Sequence, residues 1–431
     1  MPSQQTSAPM TPDAASLSVL SFNVWGVFVA QRLQERMRAI SERLAAYDVV
    51  CLQEQFDRAD AATLFGGAAN RAAFPHVHRF ESSAVGSGLT IASRYPVVSH
   101  FFVPFRLGGK IHRVWEGDAF ANKGISVTRI AVPRSKLGGR AGDDTPVEVL
   151  VLNTHLIAQY QQYSKIGGYK NERNAGHRLG QAHQLAQLIV SLVGDPRTTP
   201  FIVCGDFNCG VGSPEMQLLQ AYLAHHGLPV GEAFDAAPSY DESNMFNARG
   251  AGTYLEFMSM TEDIPVQLDH ILYGTSALAR KAGSLAMTER FPCPAAPQKE
   301  LNLSDHYGIA GQFAVNTAAV PAAVVARPRS PSTLEAPARD AMAFAATYLK
   351  ERVAAKQASM RHLNAAAAAL AFVALVVVPA ATPLPSSYPV VAAAVQTGAG
   401  FAAAIVLTLA HLYRRFEIIA MRTAAEDLES V

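Results

Sequence analysis

Phe201-Ile-Val-Cys-Gly-Asp-Phe-Asn208 is an apolar run followed by a glycine turn that delivers Asp206 and Asn208 into a loop. Thr198-Thr199-Pro200 precedes the run and Gly205 stops it, which predicts a short buried strand, Phe201 to Cys204, within a covered sheet. A carboxylate and a carboxamide two residues apart can hold a metal-bound or phosphate oxygen from two directions, and loops at strand ends are where such groups sit. Gly, Asp and Asn are also turn formers, so in isolation the stretch reads equally well as a plain turn. The company it keeps elsewhere in the chain separates the two readings.

Upstream, Leu17-Ser-Val-Leu-Ser-Phe-Asn-Val-Trp-Gly26 alternates as a strand and leaves Asn23 near its end. Leu33, Met37, Ile40 and Leu44 recur at helical spacing within 32–46, which predicts an amphipathic helix. Val49-Val-Cys-Leu52 is a second buried strand that runs into Gln53-Glu54, and the strand, helix, strand order indicates an α/β sandwich. A glutamate is most often a surface residue; one that directly follows four buried residues needs a partner, commonly a cation.

Further strands are expected at 87–93, 97–105, 125–132 and 147–152. The loop Trp115 to Gly124 carries Asp118 and Lys123, either solvated charges or a pair in which the lysine neutralises a phosphate. Asn153-Thr154-His155 ends the strand at 147–152, placing a histidine where it could donate to a developing oxyanion or serve structure alone. Tyr160, Tyr163 and Tyr169 fall in the loop 156–174, as packing or as a cage for a quaternary ammonium group. A helix is predicted over 177–192, and Ser213-Pro214 reads as an N-cap followed by proline at the first position of another. Val266 to Tyr273 alternates as a strand with Asp269 and His270 on opposite faces, and Ser304-Asp305-His306 enters a final strand as an Asp-His unit suited to general-base work.

Asn23, Glu54, Asp206 with Asn208, Asp269 and Ser304-Asp305-His306, in this order and each at a strand end, resemble the endonuclease/exonuclease/phosphatase superfamily over about Leu17 to Val315. The resemblance implies a two-sheet, four-layer α/β sandwich of the DNase I-like kind and Mg²⁺-dependent phosphoester cleavage. Phe22-Asn-Val-Trp-Gly26, the loop Gly117 to Lys123, Thr154-His-Leu156, His177-Arg178 with Gln181, and Cys204 to Asn208 look like the neutral sphingomyelinase branch, in its form with a C-terminal tail. It implies that Glu54 binds Mg²⁺ with Asn23 at the same site and that Asn208 contacts the substrate phosphate. Asp206 would orient or stabilise the transition state, with His155 assisting as charge develops, and Asp269 would contact substrate. His306, held by Asp305, would deprotonate water, and Asp118 with Lys123 would couple their loop to substrate binding.

The chain has 431 residues, 49% of them hydrophobic, enough for more than one small domain. Its formal net charge of +1 gives no sign of a nucleic-acid partner. Four cysteines lack the density of a disulfide framework and the spacing of a zinc site, which predicts reduced thiols. Residues 1–16 have no apolar core of a signal peptide and read as a disordered lead-in. Residues 316–338 read as a linker, Arg339 to His362 as a juxtamembrane helix, and 413–431 as a tail. The stretches 363–381 and 388–412 are charge-free over about the 20 residues a spanning helix needs. Lys350, Arg352, Lys356 and Arg361 precede the first, and Arg414, Arg415 and Arg422 follow the second, so both ends of the hairpin are expected in the cytosol, with the catalytic domain. The expected partners are a membrane sphingolipid, the bilayer and an anionic-lipid activator. Competing readings are a different head group such as inositol phosphate, a lyso-phospholipid, a nuclease or phosphatase, and a non-catalytic scaffold.

Overall fold

The computed structural model describes residues 15–28, 30, 32–82, 85–110, 117–119, 121–160, 167–234, 237–240, 266–293, 296–316, 336–372 and 389–431. Two compact units divide the chain, Met1–Met342 and Ala343–Val431.

In the first unit the strands are β1 Leu17–Asn23, β2 Val49–Gln53, β3 His76–Phe80, β4 Leu89–Ser93, β5 Val97–Pro104, β6 Gly124–Pro133 and β7 Pro146–His155. They continue as β8 Phe201–Asp206, β9 Val230–Glu232, β10 Asp269–Gly274, β11 Leu278–Ala286, β12 Arg290–Cys293, β13 Ala296–Asn302 and β14 Gly308–Val315. One six-stranded sheet has the order β11-β14-β1-β2-β4-β3, the other β5-β6-β7-β8-β10-β9, and β12 pairs with β13 as a separate ribbon. The helices are α1 Leu33–Leu44, α2 Arg58–Phe65, α3 Ala68–Ala73, α4 Ala175–Leu192 and α5 Pro214–His225.

Side chains alternate across each strand, so every central strand serves two layers. Leu17, Val19, Val49, Cys51 and Ile309 from the first sheet meet Val149, Val151, Ile202, Cys204 and Ile271 from the second in the core between the sheets. Leu20, Phe22, Val50 and Leu52 point the other way and pack with Met37, Ile40 and Leu44 of α1 and Leu64 and Phe65 of α2. The expected two-sheet α/β sandwich is therefore present, with helices outside the sheets.

Register places the site. In the second sheet β7 and β8 are parallel with His155 opposite Asp206, and β8 and β10 are antiparallel with Asp206 opposite Asp269. In the first, parallel β1 and β2 put Asn23 opposite Gln53. Both sheets thus end their central strands at the same edge of the sandwich.

Several boundaries differ from expectation. Gly205 does not stop β8, which runs on to Asp206. A Cβ there would lie 1.9 Å from the Thr154 carbonyl oxygen, and φ is +148°, so the glycine is needed for close approach of β7 rather than for chain termination. The lead-in ends earlier than Ser16, which is buried with its hydroxyl 3.4 Å from Gln312 Oε1. The N-cap at Ser213 is as read, its hydroxyl accepting from Met216 N at 3.3 Å.

In the second unit α7, Pro389–Ser430, runs alongside α6, whose span Ala336–Phe372 begins in the first unit. Lys356 Nζ lies 2.7 Å from Glu417 Oε2, Arg414 donates to Ser359, and Lys350 pairs with Glu429. Among the described residues no helix is long and apolar enough to cross a membrane. The expected turn at 382–387, with the end of the first expected span, lies outside the described residues, as do 317–335 of the expected linker.

Candidate active site

Asn23 stands at the centre of the shared edge. Its amide orientation is fixed from behind, because Oδ1 accepts from Trp25 N at 3.0 Å. Nδ2 then faces the site and donates to Glu54 Oε1 at 3.2 Å and Asp206 Oδ2 at 3.0 Å, with His306 Nε2 at 3.5 Å. Residues from β1, from the ends of β2 and β8 and from the loop before β14 are gathered by one carboxamide. Asn23, expected at the metal site, thus lies against both carboxylates through Nδ2, while Oδ1 accepts one backbone hydrogen bond from Trp25. Behind it the buried Arg36 donates to the carbonyls of Val24, Trp25 and Leu303, joining the loop after β1 to the one before His306.

A second chain of contacts reaches Asp206 from the other side. Lys123 Nζ lies 2.6 Å from Asp118 Oδ1, 2.9 Å from His155 Nε2, and donates to the Leu156 carbonyl at 2.8 Å. His155 Nε2 is in turn 3.3 Å from Asp206 Oδ2. Asp118 and Lys123 are both buried, so they are not solvated loop charges. Asn208, at φ +50°, turns its Nδ2 onto the same Leu156 carbonyl at 3.0 Å, while its backbone N–H donates to Asp206 Oδ1 at 2.9 Å. Asparagine is among the few side chains that tolerate this left-handed backbone, which is why the motif ends as Asp-Phe-Asn.

His306 is held differently from expectation. Its Nδ1 lies 2.8 Å from Asp269 Oδ2, and its Nε2 is 3.6 Å from Asp206 Oδ2. Asp305, the expected partner, accepts instead from Ser304 Oγ at 3.0 Å. The reason is topological: Asp269 begins β10 beside Asp206 and faces the loop that carries His306, whereas the neighbour in sequence points elsewhere.

Charge follows this geometry. Burial disfavours the imidazolium of His306, yet Asp269, Asp206 and Asp305 outweigh it and raise its pKa to about 10. Burial also raises Asp206, but the positive charge of His155, His306 and Lys123 overcomes it and holds the carboxyl well below its ordinary range. Asp305 is pushed up to about 6, chiefly by burial. Asp269 is raised by the same cause.

The donors suit a hard divalent cation. Glu54 Oε2 is buried with no hydrogen-bond partner among the described residues, and Glu54 adopts φ +58°, a strained conformation for a glutamate. An ionised oxygen in that state is costly unless a cation meets it. Asp206, Asp269 and His306 also offer ligand atoms within 4.8 Å of one another. His306 and Asp269 are already engaged with each other, so Glu54 and Asp206 are the better-suited holders.

Four contributors carried no signal in the spacing. Gln53 Nε2 donates to Asn153 Oδ1 at 2.7 Å and Asn153 Nδ2 to the Leu52 carbonyl at 2.9 Å, bridging the sheets directly beneath Glu54 and His155. Ser239 and Tyr240 contact Asp269 and His306 from a segment without regular structure. His270, by contrast, faces away, between Glu232 Oε2 and the Cys209 carbonyl, both at 2.9 Å. Tyr163 of the tyrosine-rich loop lies outside the described residues, and Tyr160 accepts from Asp118 N at 3.3 Å.

The Endonuclease/Exonuclease/phosphatase family matches residues 20–306, an interval that begins three residues before Asn23 and closes on His306. The chain belongs to this family. Among its relatives, a Drosophila melanogaster protein that carries neutral sphingomyelinase in its name is 33% identical over 195 residues, 44% of this chain and 39% of that protein. An inositol phosphosphingolipids phospholipase C of Schizosaccharomyces pombe is 25% identical over 330 residues, 72% of this chain and 70% of that protein. The chain thus spans less than half of the first relative and just over two thirds of the second. The crystal structure of SmcL shares the fold, with a TM-score of 0.50 at 18% identity over 70% of this chain and 99% of that one. The residues gathered here from separate strand ends, from Asn23 to His306, all fall within the matched interval.

Proposed function

We propose that the protein is a Mg²⁺-dependent sphingomyelinase of the phospholipase C type, releasing phosphocholine and ceramide from sphingomyelin. The observation that carries this reading is the His306 imidazole, held by Asp269 at 2.8 Å and facing the Asp206 and Glu54 carboxylates through Asn23. The names of both relatives, taken together, favour a phosphosphingolipid.

Glu54 would hold the cation, with Asp206 beside it. Bound there, Mg²⁺ supplies positive charge for the phosphoryl group and counters the carboxylates that raise His306. His306 Nε2 takes the proton of a water whose oxygen bonds to phosphorus, while Asp269 fixes the ring through Nδ1. The bond from phosphorus to the ceramide oxygen breaks, and ceramide leaves as an alcohol once that oxygen is protonated. Asn208, Lys123 and His155 line the side of Asp206 where charge builds on the phosphoryl oxygens. Asp118, locked to Lys123, sets whether that ammonium reaches substrate.

Substrate in a bilayer calls for a surface that meets lipid. Phe28 is 94% exposed, five residues past Asn23; Val211 is 67% exposed, three past Asn208; and Val85 is 44% exposed on the loop whose Gly88 carbonyl accepts from Gln55 N. These apolar tips leave the same strand ends that carry the site. The stretches 363–381 and 388–412 would anchor the chain as a hairpin with the catalytic domain and C-terminus in the cytosol, and the arginines after the second could meet an anionic lipid. A second head group, inositol phosphate, is favoured by the longer match to the yeast phospholipase C.

Labelled sphingomyelin in mixed micelles, assayed with and without Mg²⁺ beside an inositol-phosphate sphingolipid and abasic DNA, tests the reading. Mg²⁺-dependent phosphocholine release is expected. Release of inositol phosphate alone keeps the chemistry and moves the head-group pocket, and cleavage of DNA with both lipids intact rejects the lipid reading.

A further inference from the structure

Asp269 Oδ2 receives two hydrogen bonds, one from His306 Nδ1 at 2.8 Å and one from Ser239 Oγ at 2.7 Å. The serine hydroxyl has one proton, spent on Asp269, and its lone pairs accept from Asp269 N at 2.9 Å and Leu268 N at 3.0 Å. A single buried hydroxyl therefore fixes both the side chain and the backbone of the residue that orients the histidine. Asp269 Oδ1 has no partner among the described residues, so the position of the carboxylate depends on what Oδ2 receives.

The same short segment also grips the other member of the pair. The Ser239 carbonyl accepts from Tyr307 N at 2.6 Å, next to His306 in sequence. The Tyr240 ring lies 4.9 Å from the His306 ring at 61°, an edge-on packing that restricts rotation of the imidazole. Tyr240 is in turn anchored to Val266 by backbone bonds in both directions, 2.9 and 3.1 Å. Two adjacent residues, distant in sequence from both partners, touch each half of the Asp269–His306 pair.

We propose that Ser239 and Tyr240 are positioning residues for this pair. Ser239 aims the Asp269 carboxylate at Nδ1, and Tyr240 keeps the ring in the plane that points Nε2 toward Asp206. The reading rests on His306 acting in phosphodiester hydrolysis, yet the placement itself is measurable without substrate. Neither residue touches the reacting atoms, so their effect belongs in kcat with KM little changed.

The experiment compares the full chain with S239A, S239T, D269N and the double variant S239A/D269N. Two readouts are taken: kcat and KM on the micellar phosphosphingolipid, and the ¹H resonance of the His306 Nδ1 proton, assigned by its loss in H306N. S239A should lower kcat about 10- to 100-fold, the range typical for partners that orient a catalytic group. S239T, which retains the hydroxyl, should recover most of it. S239A added to D269N should cost nothing further, because the hydroxyl acts through the carboxylate. The Nδ1 resonance should move upfield or exchange-broaden in S239A and stay in place in S239T. An unchanged resonance in a folded S239A protein overturns the proposal, as does a full additive loss in the double variant. If wild-type protein cleaves no phosphosphingolipid while the resonance responds as described, the positioning stands and the substrate reading fails.

Discussion

His306 owes its orientation to a single carboxylate. Three acids surround it, but only Asp269 is within hydrogen-bonding distance of Nδ1, at 2.8 Å. D269N should therefore lower kcat by about 10³- to 10⁴-fold, as loss of the orienting carboxylate does in histidine-based triads. D305N should stay within about 100-fold, since Asp305 is bonded to Ser304 rather than to the ring. Steady-state kinetics on both variants decide it; the reverse order would return the orienting role to Asp305. The same acids make the cation-free protein sensitive to base. Because His306 is raised from 6.5 to about 10 on folding, its contribution to stability is fully present below pH 6.5 and is lost as pH rises through about 10. Asp305, raised to about 6, has spent its own contribution before pH 7. In chelator, the melting temperature should fall between pH 7 and 10, and H306N should flatten that fall. A pH-independent melting temperature in wild-type protein would show that the three carboxylates do not stabilise the imidazolium.

At the scale of elements, β7 and β8 explain why the motif was readable and where its reading stopped. Apolar alternation and strand-end polar groups reveal which residues sit at the edge of a sheet, because burial dictates the pattern locally. Asn23, Glu54, His155 and Asp206 were all found that way. Pairing between strands far apart in sequence leaves no such trace, so Asp269 was seen as a strand end but its partnership with His306 was not. Ser239 left none at all, being one hydroxyl in an irregular segment. Gly205 shows the same limit from the opposite direction: it looked like a terminator, and its role lies in the Thr154 carbonyl of the parallel neighbour. G205A should accordingly destabilise the sandwich by on the order of 3 kcal/mol or more, through the positive φ and the clash together. Urea unfolding of the full chain would measure this; a loss below about 1 kcal/mol would mean β7 and β8 can separate without disturbing the core.

At the scale of the molecule, the proposed chemistry needs a lipid brought to a site whose catalytic groups are nearly all buried. A tether alone raises local concentration, whereas tips that enter the lipid surface also set which face of the domain meets it. Phe28 and Val211 stand on loops leaving β1 and β8, and neither contacts the catalytic residues in any hydrogen bond or ion pair described above. Isolated exposed apolar residues are common on protein surfaces, so the pair matters only if it acts on lipid and not on chemistry. Replacing both with serine in the full chain should weaken binding to sphingomyelin-containing vesicles by about 10-fold or more, given roughly 1.5–3 kcal/mol for burying a phenylalanine. Turnover of a short-chain, water-soluble phosphocholine ester should be unchanged, because Asn23, Glu54, Asp206 and His306 keep their contacts. Vesicle sedimentation alongside that soluble assay separates the two effects. Equal losses in both would place Phe28 and Val211 in support of the site itself, and no loss in either would leave lipid contact to the C-terminal stretches.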